Sequence, residues 1–185
     1  MYSCLFNSSN SPLLPGLFFT CYDVYMNDNV SFFSNAGPIP TTKIVSGKPI
    51  YGATPNIANL NVGTNGCILT SPNPFQFSIQ WIGYFKPTLT TNWYFRTTSD
   101  DCSYLWIGSN ATTGFSTSNA NVNNGGSHPD KTVTSSAISL TANVYYPLRI
   151  QYGGGCCSNT MKVEFSATSA TSGFVSDGTG LYFHT

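Results

Sequence analysis

The sequence predicts an all-β protein, an antiparallel β-sandwich of jelly-roll-like form with long loops and disulfides. Three observations lead to this prediction. Short runs rich in aromatic and β-branched residues recur along the chain, Gly, Pro and Asn separate them, and no sustained helical period occurs. Because no helical segments alternate with the strands, a parallel βαβ sheet is excluded, and an antiparallel sandwich or barrel is expected.

The 185 residues are enough for one sizeable domain and few for two. We expect residues 1–15, dominated by turn-forming Asn, Ser and Pro, to be an N-terminal arm packed on the domain. Residues 16–185 are expected to form a single β-sandwich domain. The start of the chain has no basic segment followed by a continuous apolar run, so we expect no signal peptide and take the sequence for a mature or excised fragment.

The first half of the chain predicts one clear strand followed by loops. The run Leu17–Met26 is dense in aromatic and β-branched residues and predicts the opening strand. Residues 27–66 carry Gly or Pro every few positions, which predicts long loops and small strands such as Lys43–Val45. Phe75–Phe85 then alternates with period two, with aromatic and aliphatic side chains on one face and Gln and Ser on the other.

Further strand-length runs complete the predicted sheets. They are Trp93–Thr98, Tyr104–Gly108, Thr132–Leu140, Tyr145–Tyr152, Met161–Ala167 and Leu181–His184. Among them, the low-complexity segment Asn119–Asp130, the Asn-rich loop, predicts either a binding rim or disordered decoration. The final strand is expected near the first one, which brings the two ends of the chain together.

The scarcity of charge limits the classes of partner. Charged residues make up 8% of the chain, and seven basic side chains balance seven acidic ones. Without a basic patch, neither nucleic acid nor an anionic membrane surface is an expected partner. No apolar run approaches the roughly 20 residues of a membrane span, so we also expect no membrane insertion.

The cysteines and glycosylation sequons point to an oxidising compartment, outside the cell or at its surface. The six disulfide candidates are Cys4, Cys21, Cys67, Cys102, Cys156 and Cys157. Their spacing does not suit a zinc site. Six cysteines allow 15 disulfide pairings, so the connectivity stays open. We expect Cys156 and Cys157 to take two different partners. The three glycosylation candidates are Asn7, Asn29 and Asn110.

The adjacent acids Asp100 and Asp101 are the residues most indicative of chemistry. They end one predicted strand and precede the next, so their carboxylates lie among loops at a sheet edge, where oxygen ligands can hold a hard cation such as calcium. The alternative is an ordinary turn, because Asp often bonds its own backbone in turns. From the pair alone, the turn is favoured.

The surrounding motifs resemble a known family. FSIQWIGYFKP, WYFRTTSDDCSYLWIGSNA and ISLTANVYYPLRIQY, with the opening GLFFTCY, are similar to the protective-antigen-fourteen-type domain and its fungal relatives, the flocculin and GLEYA adhesin domains. The resemblance covers about residues 16–167. In the calcium-dependent lectin branch of that family, two aspartates joined by a cis peptide hold calcium, and the ion bridges to vicinal sugar hydroxyls. By resemblance this role falls on Asp100 and Asp101.

The resemblance also implies a second half of the site. In the lectin branch, an Asn and backbone carbonyls of the loop after the Tyr-Pro-x-Arg-Ile strand complete the calcium shell. The corresponding loop here, Gly153–Thr160, departs from the adhesins, because glycines follow Tyr152 directly and the nearest amide is Asn159. We expect Asn159 as a metal ligand or a turn residue. The expected ligand-binding residues are Gly154, Gly155, Ser158 and, on the rim, His128.

Two further expectations concern cysteines and aromatic residues. Cys102 and one of Cys156 and Cys157 are candidates for a disulfide that ties both calcium loops together; connections elsewhere remain the alternative. The three tryptophans could stack on sugars, but their alternating strand positions favour the core. They are Trp81, Trp93 and Trp106.

Catalysis is not expected. Glycoside hydrolysis needs two opposed carboxyl groups, whereas the only Glu is Glu164, inside a predicted strand, and adjacent aspartates are a poor opposed pair. Neither His128 nor His184 has the sequence context of a serine hydrolase.

The sequence therefore predicts a calcium-dependent carbohydrate-binding module, a lectin or adhesin of a secreted or cell-surface protein, with glycans as partners. The alternative is a structural or self-assembling domain of an extracellular filament, wall or envelope glycoprotein that binds no sugar. Its partners would be other copies or other domains of that assembly. A minor possibility is a non-catalytic appendage of a glycosidase.

Overall fold

The computed structural model describes residues 12–22, 24–33, 50–54, 57, 76–157 and 159–185. The predictions on Cys4, Asn7, Cys67, Ser158 and the Lys43–Val45 strand lie outside these ranges. Helical structure within the ranges consists of short 3-10 turns at Val30–Phe33, Ser109–Ala111 and Thr117–Asn119. In this part of the chain, no helix has the length and apolarity needed to cross a membrane.

The described residues form twelve β-strands, and every pairing between them is antiparallel. The strands are β1 Leu14–Pro15, β2 Leu17–Tyr22, β3 Ile50–Thr54, β4 Phe77–Phe85, β5 Thr91–Asp100, β6 Ser103–Ile107, β7 Val122–Asn124, β8 Lys131–Thr134, β9 Ile138–Leu140, β10 Tyr146–Gly154, β11 Thr160–Ser166 and β12 Tyr182–His184. The predicted all-β antiparallel class is confirmed.

Two sheets make up the sandwich. The eight-stranded sheet has the order β1-β12-β4-β10-β6-β7, with β2 on β4 and β3 on β2. The four-stranded sheet has the order β11-β5-β8, with β9 also on β5. The crossings between the sheets from β5 to β6 and from β10 to β11 both lie at one end of the molecule, where the Asn-rich loop also crosses from β7 to β8. The loops made by these crossings therefore lie side by side.

The core between the sheets is aromatic. The Phe85 ring meets four other aromatic rings edge-on, with centroids 5.1 to 6.1 Å away, which is the arrangement that ring quadrupoles favour. All three tryptophans are buried, with 4% or less of their surface exposed. The prediction that they are core residues is confirmed.

The outer face of the eight-stranded sheet is also covered near β4, β6 and β10. A second cluster of buried side chains, which includes Tyr22, Met26 and Trp106, covers this face. Beneath it, Ser78 and Gln80 on the outer face of β4 are 0% and 7% exposed. The polar face predicted from the alternation of β4 is therefore buried, and its side chains hydrogen-bond inside the protein.

Three sequence predictions differ from the observed strands. The first predicted strand, Leu17–Met26, ends at Tyr22, because the chain turns to cover the sheet. The predicted Thr132–Leu140 strand is two strands, and between them the hydroxyl of Ser135 accepts a hydrogen bond from the Phe95 amide in place of the regular ladder. The Asn-rich loop contains strand β7, which pairs with β6.

The two ends of the described chain pair with each other, as expected. In β1 and β12, Leu14 lies opposite His184, and β12 also pairs with β4 near Phe85. In the register of β4 and β10, Gly154 lies opposite Phe77 and Tyr146 opposite Phe85. At about 3.3 Å per residue, the paired ends of the chain lie roughly 26 Å from the turn after Gly154.

Candidate functional site

The aspartate turn, Asp100–Cys102, joins β5 to β6 at the end of the sandwich where these crossings occur. The peptide bond between Asp100 and Asp101 is cis. Asp101 is 5% exposed, and both of its carboxylate oxygens accept hydrogen bonds. Oδ1 accepts from the Ser127 hydroxyl at 2.8 Å and the His128 amide at 3.2 Å, and Oδ2 accepts from the Gly155 amide at 2.7 Å. Asp101 therefore joins the Asn-rich loop to the Gly153–Thr160 loop.

Asp100 is in a different environment. Its side chain is partly exposed, and no described residue donates a hydrogen bond to its carboxylate. Burial, the Asp101 carboxylate and the Asp130 carboxylate raise the pKa of Asp100, while His128 acts in the opposite direction. Acidic groups thus surround an acid that has no hydrogen-bond donor of its own, and a cation would relieve their repulsion.

The Gly153–Thr160 loop brings an amide oxygen to the same place. Asn159 is 8% exposed, and the Tyr152 hydroxyl lies 3.1 Å from its Oδ1 and 2.6 Å from the carbonyl oxygen of Asp100. Burial, followed by the charges of the two aspartates, raises the pKa of Tyr152, so its hydroxyl stays a proton donor. Tyr152 therefore links the aspartate turn to Asn159.

Close packing leaves no room for a side chain at two glycines of this loop. A Cβ atom on Gly154 would overlap Asn159 Oδ1, and a Cβ on Gly155 would lie 2.8 Å from Asp101 Oδ2. Neither glycine has the positive φ that favours glycine, so close approach explains them. The two glycines let an amide oxygen and a carboxylate oxygen approach adjacent residues of the backbone.

These residues fit a calcium ion. Among the described residues, no group of three or more His, Cys, Asp and Glu side chains could hold a metal. Calcium, however, takes carboxylate, amide and backbone carbonyl oxygens together. The Asp100 carboxylate accepts no hydrogen bond from the described residues, and Asp101 Oδ2 accepts one and keeps a second lone pair. Asn159 Oδ1 lies against Gly154 and the Tyr152 hydroxyl. The donor set is hard and oxygen-rich, as this ion requires.

The structure brings together most of the residues singled out in the sequence. Asp100, Asp101, Gly154, Gly155 and Asn159 converge at the crossings. His128 is adjacent through its backbone amide, and its ring nitrogens face the carbonyl oxygens of the Asn-rich loop.

The predicted disulfides across the loops are wrong. Cys102 is a free thiol with no exposed surface, and burial raises its pKa to about 12. Cys156 and Cys157 are exposed and bonded to each other, so the expectation that they take different partners is also wrong. Cys102 does lie beside the second loop: its carbonyl accepts the Gly153 amide at 2.9 Å, and its thiol, part of the buried cluster, lies 3.8 Å from the Gly153 carbonyl oxygen. Cys21 is disulfide-bonded.

The two sequons within the described ranges are on the surface. Asn29 lies in a turn and accepts a hydrogen bond from Ser31, and Asn110 lies in the 3-10 turn after β6. Both side chains are exposed.

Four residues near the site were not predicted from the sequence. Ser127 and Tyr152 contact the predicted ligands directly, and Tyr25 and Asp28 pack behind the loops. Tyr152 and Ser127 carried no signal, since a strand tyrosine and a loop serine are common. The pair Asn27-Asp28 did carry a sequence signal for a turn. Asn and Asp are the non-glycine residues that most readily adopt positive φ, and here φ is 46° and 59°.

Comparisons with known proteins agree with this architecture. The GLEYA domain family matches residues 77–169, just over half of the chain. Among curated protein sequences, none matches the chain significantly.

Several solved structures share the fold at low sequence identity. One is the Epithelial Adhesin 9 A domain from Candida glabrata in complex with Galb1-4GlcNAc, with a TM-score of 0.65, 17% identity and coverage of 96% of this chain and 92% of that chain. Another is the PA14 sugar-binding domain from an RTX adhesin, with a TM-score of 0.65, 15% identity and coverage of 93% and 99%. A third is an anti-sigma factor domain-containing protein from Clostridium clariflavum, with a TM-score of 0.62, 20% identity and coverage of 96% of this chain. This chain spans 50% of that protein.

The likeness to the solved structures shows the fold, and the family match includes the crossings from β5 to β6 and from β10 to β11. The chain therefore belongs to the GLEYA domain family.

Proposed function

We propose that this domain is a calcium-dependent lectin of a secreted or cell-surface protein. The observation that carries the proposal is a pair of unlike aspartates linked to Asn159 through the Tyr152 hydroxyl. The Asp101 carboxylate accepts three hydrogen bonds, and the Asp100 carboxylate accepts none from the described residues. Asp100, Asp101, Asn159 and backbone carbonyls of the Gly153–Thr160 loop hold the ion. A bound calcium ion supplies coordination positions for two vicinal sugar hydroxyls.

The surroundings of the site support a glycan as the ligand. The site lies at loops at one end of the sandwich, and the sugar-binding residues that we propose from the sequence are Gly154, Gly155, Ser158 and, on the rim, His128. Two of the solved structures with this fold are, by their titles, a sugar-binding domain and a domain in complex with a galactosyl disaccharide. In keeping with these sugar-binding neighbours, we propose binding without catalysis.

Two further features support a location outside the cell. Cys21 is disulfide-bonded and Cys156 is bonded to Cys157, and such bonds persist in oxidising compartments. The described sequons, at Asn29 and Asn110, are exposed as glycosylation requires.

The test is calcium and sugar binding by the parent protein and the Asp100→Asn variant. Isothermal titration with calcium, followed by Galb1-4GlcNAc and a glycan array, measures both steps. Because the Asp100 carboxylate has no hydrogen-bond donor among the described residues, the variant removes charge without disturbing their contacts, and calcium affinity is expected to fall at least about tenfold. Sugar binding by the parent is expected to disappear in EDTA.

Asp177→Asn is the matched control, because Asp177 is exposed and bonds only Thr179 in the C-terminal tail. It is expected to bind calcium like the parent. Glycan binding that survives both EDTA and Asp100→Asn would rule out the proposed mechanism. Absence of any glycan binding, together with regular polymers in electron micrographs, would favour the alternative of a self-assembling domain.

A further inference from the structure

The segment Val24–Asp28, called the brace below, follows β2 and lies against the outer face of the eight-stranded sheet. Ser78 of β4 fixes it there. The Ser78 hydroxyl accepts the Met26 amide at 2.8 Å and donates to the Val24 carbonyl at 2.7 Å, and Ser78 itself is completely buried. The brace is thus attached to a central strand and not only to the neighbouring loops.

One end of the brace packs under the glycines of the Gly153–Thr160 loop. A Cβ on Gly153 would lie 3.0 Å from two ring atoms of Tyr25, and a Cβ on Gly155 would lie 3.2 Å from a third. The Tyr25 ring therefore lies flat against the backbone whose Gly155 amide donates to Asp101. The Tyr25 hydroxyl is buried beside the Cys102 thiol, and the contact with the two glycines is made by ring atoms.

The other end of the brace holds the Asn-rich loop. The Asp28 carboxylate accepts the Gly126 amide at 3.0 and 3.2 Å and the Tyr104 hydroxyl at 2.6 Å. The two residues after Gly126 are Ser127 and His128, the donors to Asp101 Oδ1. A hydrogen bond to a charged acceptor is roughly twice as strong as a neutral one, so Asp28 is a firm anchor for this loop.

We infer that Tyr25 and Asp28 are positioning residues for the ligand site. Through them the brace fixes, from behind, both loops that donate to Asp101, and so sets the direction of the Asp101 carboxylate. Neither residue is among the expected ligands of the ion. The expected effect of these residues on calcium binding rests on the proposed function. Their expected effect on the two loops rests only on the contacts described above.

The test compares Tyr25→Ala, Tyr25→Phe and Asp28→Asn with the parent. Amide hydrogen exchange, measured by NMR in calcium-free buffer, reports on the loops, and isothermal titration with calcium reports on the site. Tyr25→Ala is expected to speed exchange at Gly155 about tenfold and to weaken calcium binding about tenfold, because the backbone loses its support. Tyr25→Phe is expected to match the parent in both measurements.

Asp28→Asn keeps a residue that tolerates positive φ but makes its hydrogen bonds neutral. It is expected to speed exchange at Gly126 and His128 and to weaken calcium binding about threefold. Tyr145→Ala is the matched control for loss of a tyrosine ring. Tyr145 contacts Tyr84 and Phe183 at the opposite end of the sheet, and its loss is expected to leave all three amides and calcium binding unchanged.

The two measurements separate the two hypotheses. Parent-like exchange at Gly155 in Tyr25→Ala and at Gly126 in Asp28→Asn would overturn the inference, whatever calcium does. Parent-like calcium affinity in both variants would also overturn it, because loops that move without effect on the ion do not position it. If exchange rises as expected and the parent binds no calcium, the contacts of the brace stand and the proposed function fails.

Discussion

At the scale of single residues, the two aspartates of the turn have separate tasks. The Asp101 carboxylate accepts three hydrogen bonds from two loops, and the Asp100 carboxylate accepts none from the described residues. Asp101 is therefore part of the structure of the site even without an ion. Asp100 contributes charge and an unengaged pair of oxygens.

This division predicts unequal effects on stability. In Asp101→Asn, the amide places an NH₂ group where Oδ1 or Oδ2 accepts a donor, so one charged hydrogen bond is lost and a donor faces a donor. The expected loss in the free energy of unfolding is about 1–3 kcal/mol in EDTA. Asp100→Asn is expected to change it by less than about 0.5 kcal/mol. Urea unfolding measures both, and equal losses would contradict the assigned roles.

The sequence predicted the aspartates but not their difference. An acid pair between two strands, within the family's motif, was enough to locate the turn. The partners of Asp101 are 26 and 27 residues away at Ser127 and His128, and 54 away at Gly155. No local pattern reports such separations. The cysteine predictions failed for a related reason: the Cys102 thiol is buried against the Gly153 carbonyl, whereas Cys156 and Cys157 are exposed and bonded to each other.

At the scale of elements, the site depends on the end of β10. The strand continues through Gly154, two residues beyond the predicted end at Tyr152, and its glycines allow Asn159 to fold back against it. Strand composition predicted where β10 lies. It did not predict this extension, because glycine is uncommon in strands and is usually read as a turn.

A double-mutant cycle tests the fit between Gly154 and Asn159. Gly154→Ala places a methyl group on Asn159 Oδ1 and is expected to cost about 1–3 kcal/mol in the free energy of unfolding. If the overlap is the cause, adding Gly154→Ala to Asn159→Ala is expected to cost much less, with a coupling of about 1 kcal/mol or more. Additive losses in urea unfolding would show that the glycine is needed for another reason.

The brace shows a limit of predicting strand ends from local sequence. Its residues continue the aromatic and β-branched composition of β2, so the sequence predicted a strand through Met26. The strand ends at Tyr22 because the outer face of β4, β6 and β10 carries Tyr104, Trp106 and other large side chains that must be covered. That requirement arises from distant strands, so the local sequence around Leu17–Met26 does not indicate it.

At the scale of the whole molecule, the aromatic cluster around Phe85 and the candidate site lie at opposite ends of the sandwich. The aromatic cluster around Phe85 lies beside the paired ends of the chain, and the site lies where the crossings occur. The alternation of Phe75–Phe85 predicted the core face correctly. It did not predict that the other face is buried too, because Ser78 and Gln80 are polar and read as exposed.

This separation predicts a variant that loses stability without losing binding. Phe85→Leu removes edge-on contacts with Trp93, Phe95, Phe165 and Tyr182 and is expected to cost about 1–2 kcal/mol. At roughly 26 Å from the turn after Gly154, it is expected to leave the calcium dissociation constant unchanged below the melting transition. Thermal unfolding and isothermal titration measure the two properties. A parallel loss of calcium affinity would show that the ends are coupled.

The free thiol of Cys102 has a practical consequence for kinetics. It follows Asp101 directly, and a reagent such as iodoacetamide cannot reach it while the aspartate turn is closed, because none of its surface is exposed. The rate at which the peptide containing Cys102 becomes alkylated therefore measures how often the aspartate turn opens. Since Cys156 and Cys157 are bonded to each other, they do not compete for the reagent. Cys102 is thus a natural chemical probe for opening of the candidate site.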